Sequence, residues 1–348
     1  MATETGLNLL HDRRIDWDAD GEALRRLFET SWKKHPILRK EYFDWQFLGF
    51  PGHRPLAYCA AERSQDRDAF AGAYIVIPTT VLADHHRLSF STSLYTITHP
   101  QYYRRGIFAR LAERTFRECR ETGVVGTVGV PNNNSLPGFV GVLGFRAIGQ
   151  FHVVARIAKS PRLPKHSVHV REVATERHLS DLTFDLSERK AQSGIVLAER
   201  SKEFIAWRFL HCPGAKYHVL VAVDGNNRAE GMAVLRFTTK KAVPLTVLVD
   251  FALVHMSPDA DLIAQSLFSR ISLLAWKHFC PLVITLVNPH SYEGEALAQM
   301  GFRRLSRAVL PHDSNFIIRL HGEVPENLSN RLYDFKSWYF SFADYDIF

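Results

Sequence analysis

A twelve-residue segment occurs twice in this chain. Glu41-Tyr42-Phe43-Asp44-Trp45-Gln46-Phe47-Leu48-Gly49-Phe50-Pro51-Gly52 returns as Glu203-Phe204-Ile205-Ala206-Trp207-Arg208-Phe209-Leu210-His211-Cys212-Pro213-Gly214, with six of the twelve positions identical. Each copy runs into an apolar strand, a polar turn and a second strand carrying a glycine: 55–62, 63–68 and 69–77 in the first, 217–223, 224–228 and 229–237 in the second. Further on, Val130-Pro131-Asn132-Asn133-Asn134-Ser135 leads to Leu143-Gly144-Phe145-Arg146, as Leu286-Val287-Asn288-Pro289-His290-Ser291 leads to Met300-Gly301-Phe302-Arg303. Three collinear matches are beyond coincidence and predict two structural copies of one unit. The join falls near 160–166, where the chain is polar and broken by proline. The expected domains are therefore 1–160, 167–322 and an aromatic tail, 323–348, packed on the body.

Composition agrees with two cored domains. The chain has 348 residues, 46% apolar and 23% charged, which excludes disorder and disulfide scaffolds. No apolar run is long enough to span a bilayer, and the first residues lack a secretory pattern. Four scattered cysteines without a CxxC pair point to a reducing cytoplasm and to no metal knuckle. The net charge of +7 favours anionic partners such as phosphates. It is diffuse, with no basic run or arm, so nucleic acid is not expected.

Hydrophobic periodicity gives each copy the order α, β-hairpin, β, α, β, α. In the first, 22–33 is an amphipathic helix through Leu24, Leu27, Phe28 and Trp32. A long strand over 88–99, a helix over 108–121, a buried strand over 124–130 and a helix over 135–143 follow. This is an α/β fold of two tandem domains, each with a mixed, mostly antiparallel sheet flanked by helices.

Chemistry concentrates in Tyr95-Thr96-Ile97-Thr98-His99-Pro100-Gln101-Tyr102-Tyr103-Arg104-Arg105-Gly106-Ile107-Phe108. A strand ends, a basic turn with one glycine follows, and a helix begins. A helix start leaves about four amides unpaired and carries roughly half a positive charge, and two arginines strengthen that field. Such a turn suits a pyrophosphate. A turn glycine before an ordinary helix would look the same.

Tyr103-Arg104-Arg105-Gly106-Ile107-Phe108 resembles the acyl-CoA loop of the GNAT superfamily of N-acyltransferases, Gln/Arg-x-x-Gly-x-Gly/Ala, with Tyr103 and Phe108 departing from its first and last slots. The following strand, Asn132–Asn134 and Leu143-Gly144-Phe145 resemble that superfamily's next signature. The resemblance covers about 20–157 well and 168–320 in outline. It implies that acetyl-CoA or another acyl-CoA is held by Ile97, Thr98, Arg104, Arg105, Gly106, Ile107, Phe108, Asn133 and Asn134. It implies also that two central strands splay apart to admit the acyl-pantetheine, and that Phe108 points into the core.

In the second copy Val254–Ala264 aligns with the loop. It has no glycine or arginine, and it carries Asp259 and Asp261, whose charges would oppose a diphosphate. The second copy is thus expected to be degenerate. Aminolysis of a thioester needs a base, and often an acid. The tyrosine GNAT enzymes often place four residues before Gly-Phe is Val140 here. Tyr95 and His99 share one side of a strand by alternation and are the catalytic candidates; Asp250, Asp344 and Asp346 are further acidic candidates for the acceptor side. Trp45 and Trp207 read as packing anchors, and Asp84-His85-His86 as a turn, not a metal site. The reading is acyl transfer to a small amine, with an amino sugar as one candidate acceptor. Its rivals are a non-catalytic acyl-CoA-binding or scaffold protein, and an aminoacyl-tRNA-dependent transferase.

Overall fold

The computed structural model describes residues 10–49, 52, 54–62, 69–159, 167–254, 256–306 and 313–345. The expected join at 160–166, the first hairpin turn at 63–68 and Asp346 lie outside them. The chain forms two compact units. Unit 1 takes Met1–Thr80, Ser89–Ala147 and Ile317–Val324; unit 2 takes Val81–Leu88, Ile148–Phe316 and Pro325–Phe348.

The N-terminal elements are β1 (Leu10–Arg14), α1 (Gly21–Glu29), α2 (Lys40–Phe47), β2 (Leu56–Glu62), β3 (Ala69–Ala83), β4 (His86–Ser93), β5 (Ile97–Thr98), α3 (Ile107–Glu121), β6 (Gly126–Gly129) and α4 (Leu136–Gly141). The C-terminal elements begin with β7 (Arg146–Ile157), β8 (His169–Val173), α5 (Glu176–Ser180), α6 (Leu186–Gln192), β9 (Val196–Ala198), α7 (Lys202–Ile205), β10 (Tyr217–Val223), β11 (Ala229–Lys240) and β12 (Val243–Leu253). They continue through α8 (Ala260–Lys277), β13 (Leu282–Val287), α9 (Tyr292–Gln299), β14 (Arg303–Arg304), β15 (Ser314–Leu320), α10 (Glu326–Tyr333) and β16 (Trp338–Tyr339).

Unit 1 orders its strands β1-β2-β3-β4-β6 and then Ile317–Leu320 of β15. β1/β2, β2/β3 and β6/β15 are antiparallel, whereas β4/β6 is parallel. Unit 2 repeats the scheme as β8-β10-β11-β12-β13-β7, with β12/β13 its parallel pair. The copies share irregularities too. The β2/β3 register shifts at Ala60/Ala61 and the β10/β11 register at Ala222/Val223, positions that the repeat aligns. The Tyr42 ring packs tilted against Trp45 at 4.9 Å and Phe204 likewise against Trp207 at 5.8 Å, both tryptophans buried as anchors.

The units are not the contiguous stretches expected from sequence. Each takes the last strand beside its parallel pair from beyond its own repeat: Ile317–Leu320 pairs with β6, and Ile157–His152 with β13. A parallel pair buried on both edges needs such a partner to satisfy its outer amides and carbonyls. The core of unit 1 sets Ile107, Leu111, Ala112, Phe116 and Cys119 of α3 against Ala60, Tyr74 and Val76 of its sheet. Unit 2 does the same with Ile263, Leu267 and Ile271 of α8. Each fully buried aliphatic side chain contributes about 1.5–3 kcal/mol. Among the described residues, no helix is long and apolar enough to cross a membrane.

Two expected elements differ. The first helix stops at Glu29, with Thr30 as its C-cap, the Thr30 hydroxyl donating to the Leu27 carbonyl at 2.7 Å, and the chain closes with backbone bonds from Ser31 and Trp32 to the Phe28 carbonyl. The long strand over 88–99 is two strands, because Tyr95 has φ of 56°. That left-handed backbone costs about 1–2 kcal/mol. It is offset by placing the Tyr95 ring among Phe28, Trp32, His35 and Phe47, at 5.5–5.9 Å.

Candidate acyl-CoA site

The β4/β6 ladder pairs Phe90–Thr92 with Gly126–Val128 and ends there. Leu94 then donates its amide to Ile75 of β3 at 3.3 Å, Ile97 and Thr98 pair with Ala73 and Gly72, and the His99 amide reaches Ala71. Beyond Thr92 the chain thus bonds to β3. Ser93 Cβ and a Cβ placed on Gly129 would be 3.7 Å apart, ordinary contact, so the two strands still run side by side one residue past the end of their ladder.

The chain then turns. His99 caps a short 3-10 turn over Pro100–Tyr102, its Nδ1 accepting the Gln101 amide at 3.3 Å. A neutral His99 in this bond carries its proton on Nε2, so the free side of the ring is a donor. Arg104 and Gly106 have φ of 62° and 70°. Nothing lies within 4 Å of a Cβ placed on Gly106, which faces open space. α3 starts without a side-chain cap and without an acidic residue in its first turn; its first backbone bond is Arg110 N–H to the Gly106 carbonyl at 3.1 Å. The amides of Ile107, Phe108 and Ala109 therefore lie ahead of the helical ladder. Arg104 and Arg105 are exposed, with the Arg105 guanidinium 5.1 Å from the Tyr102 ring, and Tyr102 donates its hydroxyl to Glu62. The result is an uncapped, positive helix start.

Gly72 sets how close this start comes to the sheet. A Cβ there would sit 2.9 Å from Ile107 Cγ2 and 3.2 Å from the Ile97 carbonyl. Gly231 does the same in unit 2, where a Cβ would sit 2.8 Å from Ile263 Cγ2. The repeat signalled both glycines, though not their role. Ile107 is buried against Gly72, and Phe108 turns inward, 5.7 Å from Tyr74 and 5.3 Å from Phe139.

The other sequence-derived residues are placed as follows. Asn133 and Asn134 are exposed. The side chain that organises their turn is Asn132, whose Oδ1 accepts the amides of Asn134 and Ser135 at 3.0 Å each and the Ser135 hydroxyl at 3.1 Å. Tyr95 and His99 do not share a strand face, because the left-handed turn at Tyr95 breaks the alternation. Tyr95 is half-buried against α1 and α2, and His99 holds its own turn. Val140 is 41% exposed and offers no proton. Among the described residues, no group of three or more His, Cys, Asp or Glu is placed to hold a metal ion.

Unit 2 has the same frame with a different filling. The aligned segment borders a cavity of about 610 Å³ lined by Val254, Ser257, Pro258 and Asp259, with Asp224 and the Arg189–Glu230 pair on its wall. Asp261 accepts the Tyr292 hydroxyl at 2.9 Å. The β12/β13 ladder ends at Leu248/Thr285. Past that end, Asn288 donates its amide to the Phe335 and Trp338 carbonyls at 2.7 and 2.8 Å, while Asp250 accepts from Tyr339 Oη and from Arg200 Nε at 2.9 Å. Arg200 also grips Asp344 with two bonds of 2.7 Å. Asp250 is fully buried and Asp344 is spent on Arg200, so neither is an acceptor-side group. Burial drives the Tyr339 hydroxyl's pKa well up, with the Asp250 carboxylate adding to it.

No family model and no curated protein sequence matches the chain. Solved structures do match its fold. A GCN5-related N-acetyltransferase from Anabaena variabilis ATCC 29413 superposes with a TM-score of 0.67 at 14% identity, covering 90% of this chain and 73% of that one. A tandem GNAT protein from the clavulanic acid biosynthesis pathway gives 0.58 at 14% identity, covering 91% and 100%. The N-myristoyltransferase of Saccharomyces cerevisiae, with bound myristoyl-CoA, gives 0.56 at 11% identity, covering 89% and 78%.

Proposed function

We propose that this chain, which has the GNAT fold in tandem, is an acyl-CoA-dependent N-acyltransferase whose cofactor site is in unit 1. The observation that carries the reading is the conjunction of a parallel pair whose ladder ends at Thr92 with an uncapped, arginine-flanked start of α3. The helix start would hold the diphosphate through the amides of Gly106, Ile107 and Phe108, with Arg104 and Arg105 neutralising it. The strand edges released at Ile97 and Thr98 would take the pantetheine as an extra strand. The turn of Asn132, Asn133 and Asn134 would border it. We assign the Nε2–H of His99 to donation and the Tyr95 ring to shaping the acyl end. The amine would attack the thioester directly, with positioning and oriented backbone amides supplying much of the rate. Acetyl is one acyl group among those this arrangement can take.

Titration of acetyl-CoA, free CoA and longer acyl-CoAs into wild type and Gly106→Trp tests the reading. An L residue at φ 70° costs about 1–2 kcal/mol, and the open space allows the side chain, so the variant folds. Micromolar binding that the variant loses supports the site. No binding by wild type sinks it. A second reading, an acyl-CoA-binding protein without catalysis, is favoured by Val140 and by the separation of Tyr95 from His99. Release of CoA thiol in the presence of amines discriminates the two.

A further inference from the structure

Unit 2 contains a second cavity, of about 490 Å³, away from its degenerate loop. Its apolar floor is Ile148, Pro289 and Phe335. Phe335 lies flat against the backbone of Gly149, where a Cβ would sit 2.1 Å from the ring, so only glycine admits this floor. The polar wall is Gln150, His152, His290, Asp334 and Lys336, drawn from β7, the turn after β13 and the turn after α10.

Several of these groups are fixed in orientation. Gln150 donates its amide nitrogen to Asn315 at 3.0 Å, which leaves its carbonyl as the acceptor. Asp334 accepts the Lys336 amide at 3.0 Å and the Ser337 hydroxyl at 3.1 Å, each oxygen keeping a further lone pair. The His290 ring stands edge-on to Phe335 at 6.2 Å. Burial first, then Arg304 and His290, holds His152 below the usual imidazole range and keeps it neutral, able both to donate and to accept.

We infer that this cavity binds a hydroxylated amine of monosaccharide size, an amino sugar. The volume is at the small end of ligand sites. An amide, two imidazoles and a carboxylate are planar groups that present donors and acceptors side by side, which suits vicinal hydroxyls, each a donor and an acceptor. The floor matches the apolar face of a sugar ring. Asp334 is the carboxylate of the wall and the partner for an ammonium. Binding at this cavity stands by itself and does not rest on the acyltransferase reading.

Saturation-transfer NMR and calorimetry on the full chain test this with D-glucosamine, D-galactosamine, D-glucose, glycine and inorganic phosphate. The expected result is saturable glucosamine or galactosamine binding, at least tenfold tighter than glucose. The exposed His290→Ala change should weaken it at least fivefold, and Asp334→Asn should erase the preference for the amino sugar over glucose. No saturable amino-sugar binding, preference for glycine or phosphate, or binding unchanged in both variants would overturn the inference. Acetyl-CoA is titrated into the same samples. Its retained binding beside absent sugar binding overturns this site alone, and its loss in wild type overturns the cofactor reading instead.

Discussion

His321 shows how one side chain can set the acid response of unit 1. It is 7% exposed, its Nε2 is 2.7 Å from Thr127 Oγ1, that hydroxyl is 2.7 Å from Ser91 Oγ, and its ring lies 5.0 Å from Phe116. Its Nδ1 has no hydrogen-bond partner among the described residues. Burial, with Arg319 and Arg120 adding to it, drives its pKa down to about 3 from 6.5. A base with a lowered native value stabilises the fold fully above the unfolded value. As pH falls below 6.5 the unfolded chain takes up a proton that the native chain refuses, and that stability drains away until about pH 3. At pH 5 the loss is about 2 kcal/mol. Urea unfolding at pH 7, 6 and 5 should show wild type falling more steeply than His321→Gln by up to one proton. Parallel pH slopes would remove His321 as the cause.

At the scale of elements, the repeated glycines separate packing from function. Gly72→Ala and Gly231→Ala both press a methyl against the first turn of a long helix, at Ile107 and Ile263 respectively. Overpacking of this kind costs about 1–3 kcal/mol. Both variants should therefore lower the thermal midpoint. Only Gly72→Ala displaces the start of α3, so only it should weaken acyl-CoA binding, by about tenfold, in a calorimetric titration; equal affinity in the two variants would show that this helix start does not touch the ligand. The hairpins, the long helices and the loop at Arg104–Gly106 were legible because period, turn chemistry and the repeat all act locally. The break at Tyr95 was not, since a single left-handed residue stabilised by rings from α1 and α2 leaves no periodic trace. Nor was Asn132 as the organiser of its turn, because three successive asparagines offer the same chemistry in sequence.

For the whole molecule, the partner strands were the least legible feature. Ile317–Leu320 completes unit 1 and β7 completes unit 2, and a pairing between distant segments imposes no local pattern beyond being a strand. The aromatic tail was expected to fold back, but what it does there depends on tertiary contacts. In unit 2 it joins Asn288, just after β13, to Asp250 on β12, past the point where their ladder ends. Trp338 and Tyr339 also pair with β9. Past the end of the ladder, the level that in unit 1 is assigned to pantetheine, unit 2 thus holds its own tail through Asn288 and Asp250. The acidic wall of the neighbouring cavity, with Asp224 and Asp259, adds repulsion toward a diphosphate. Calorimetry should accordingly return one acyl-CoA per chain. Asn288→Ala leaves two buried carbonyls without their donor, at roughly 1–3 kcal/mol each, and so should lower stability while leaving affinity and stoichiometry unchanged. Two equivalents bound by wild type would show that the tail yields to cofactor, and the filled second groove would then be a displaceable plug instead of a fixed part of the fold.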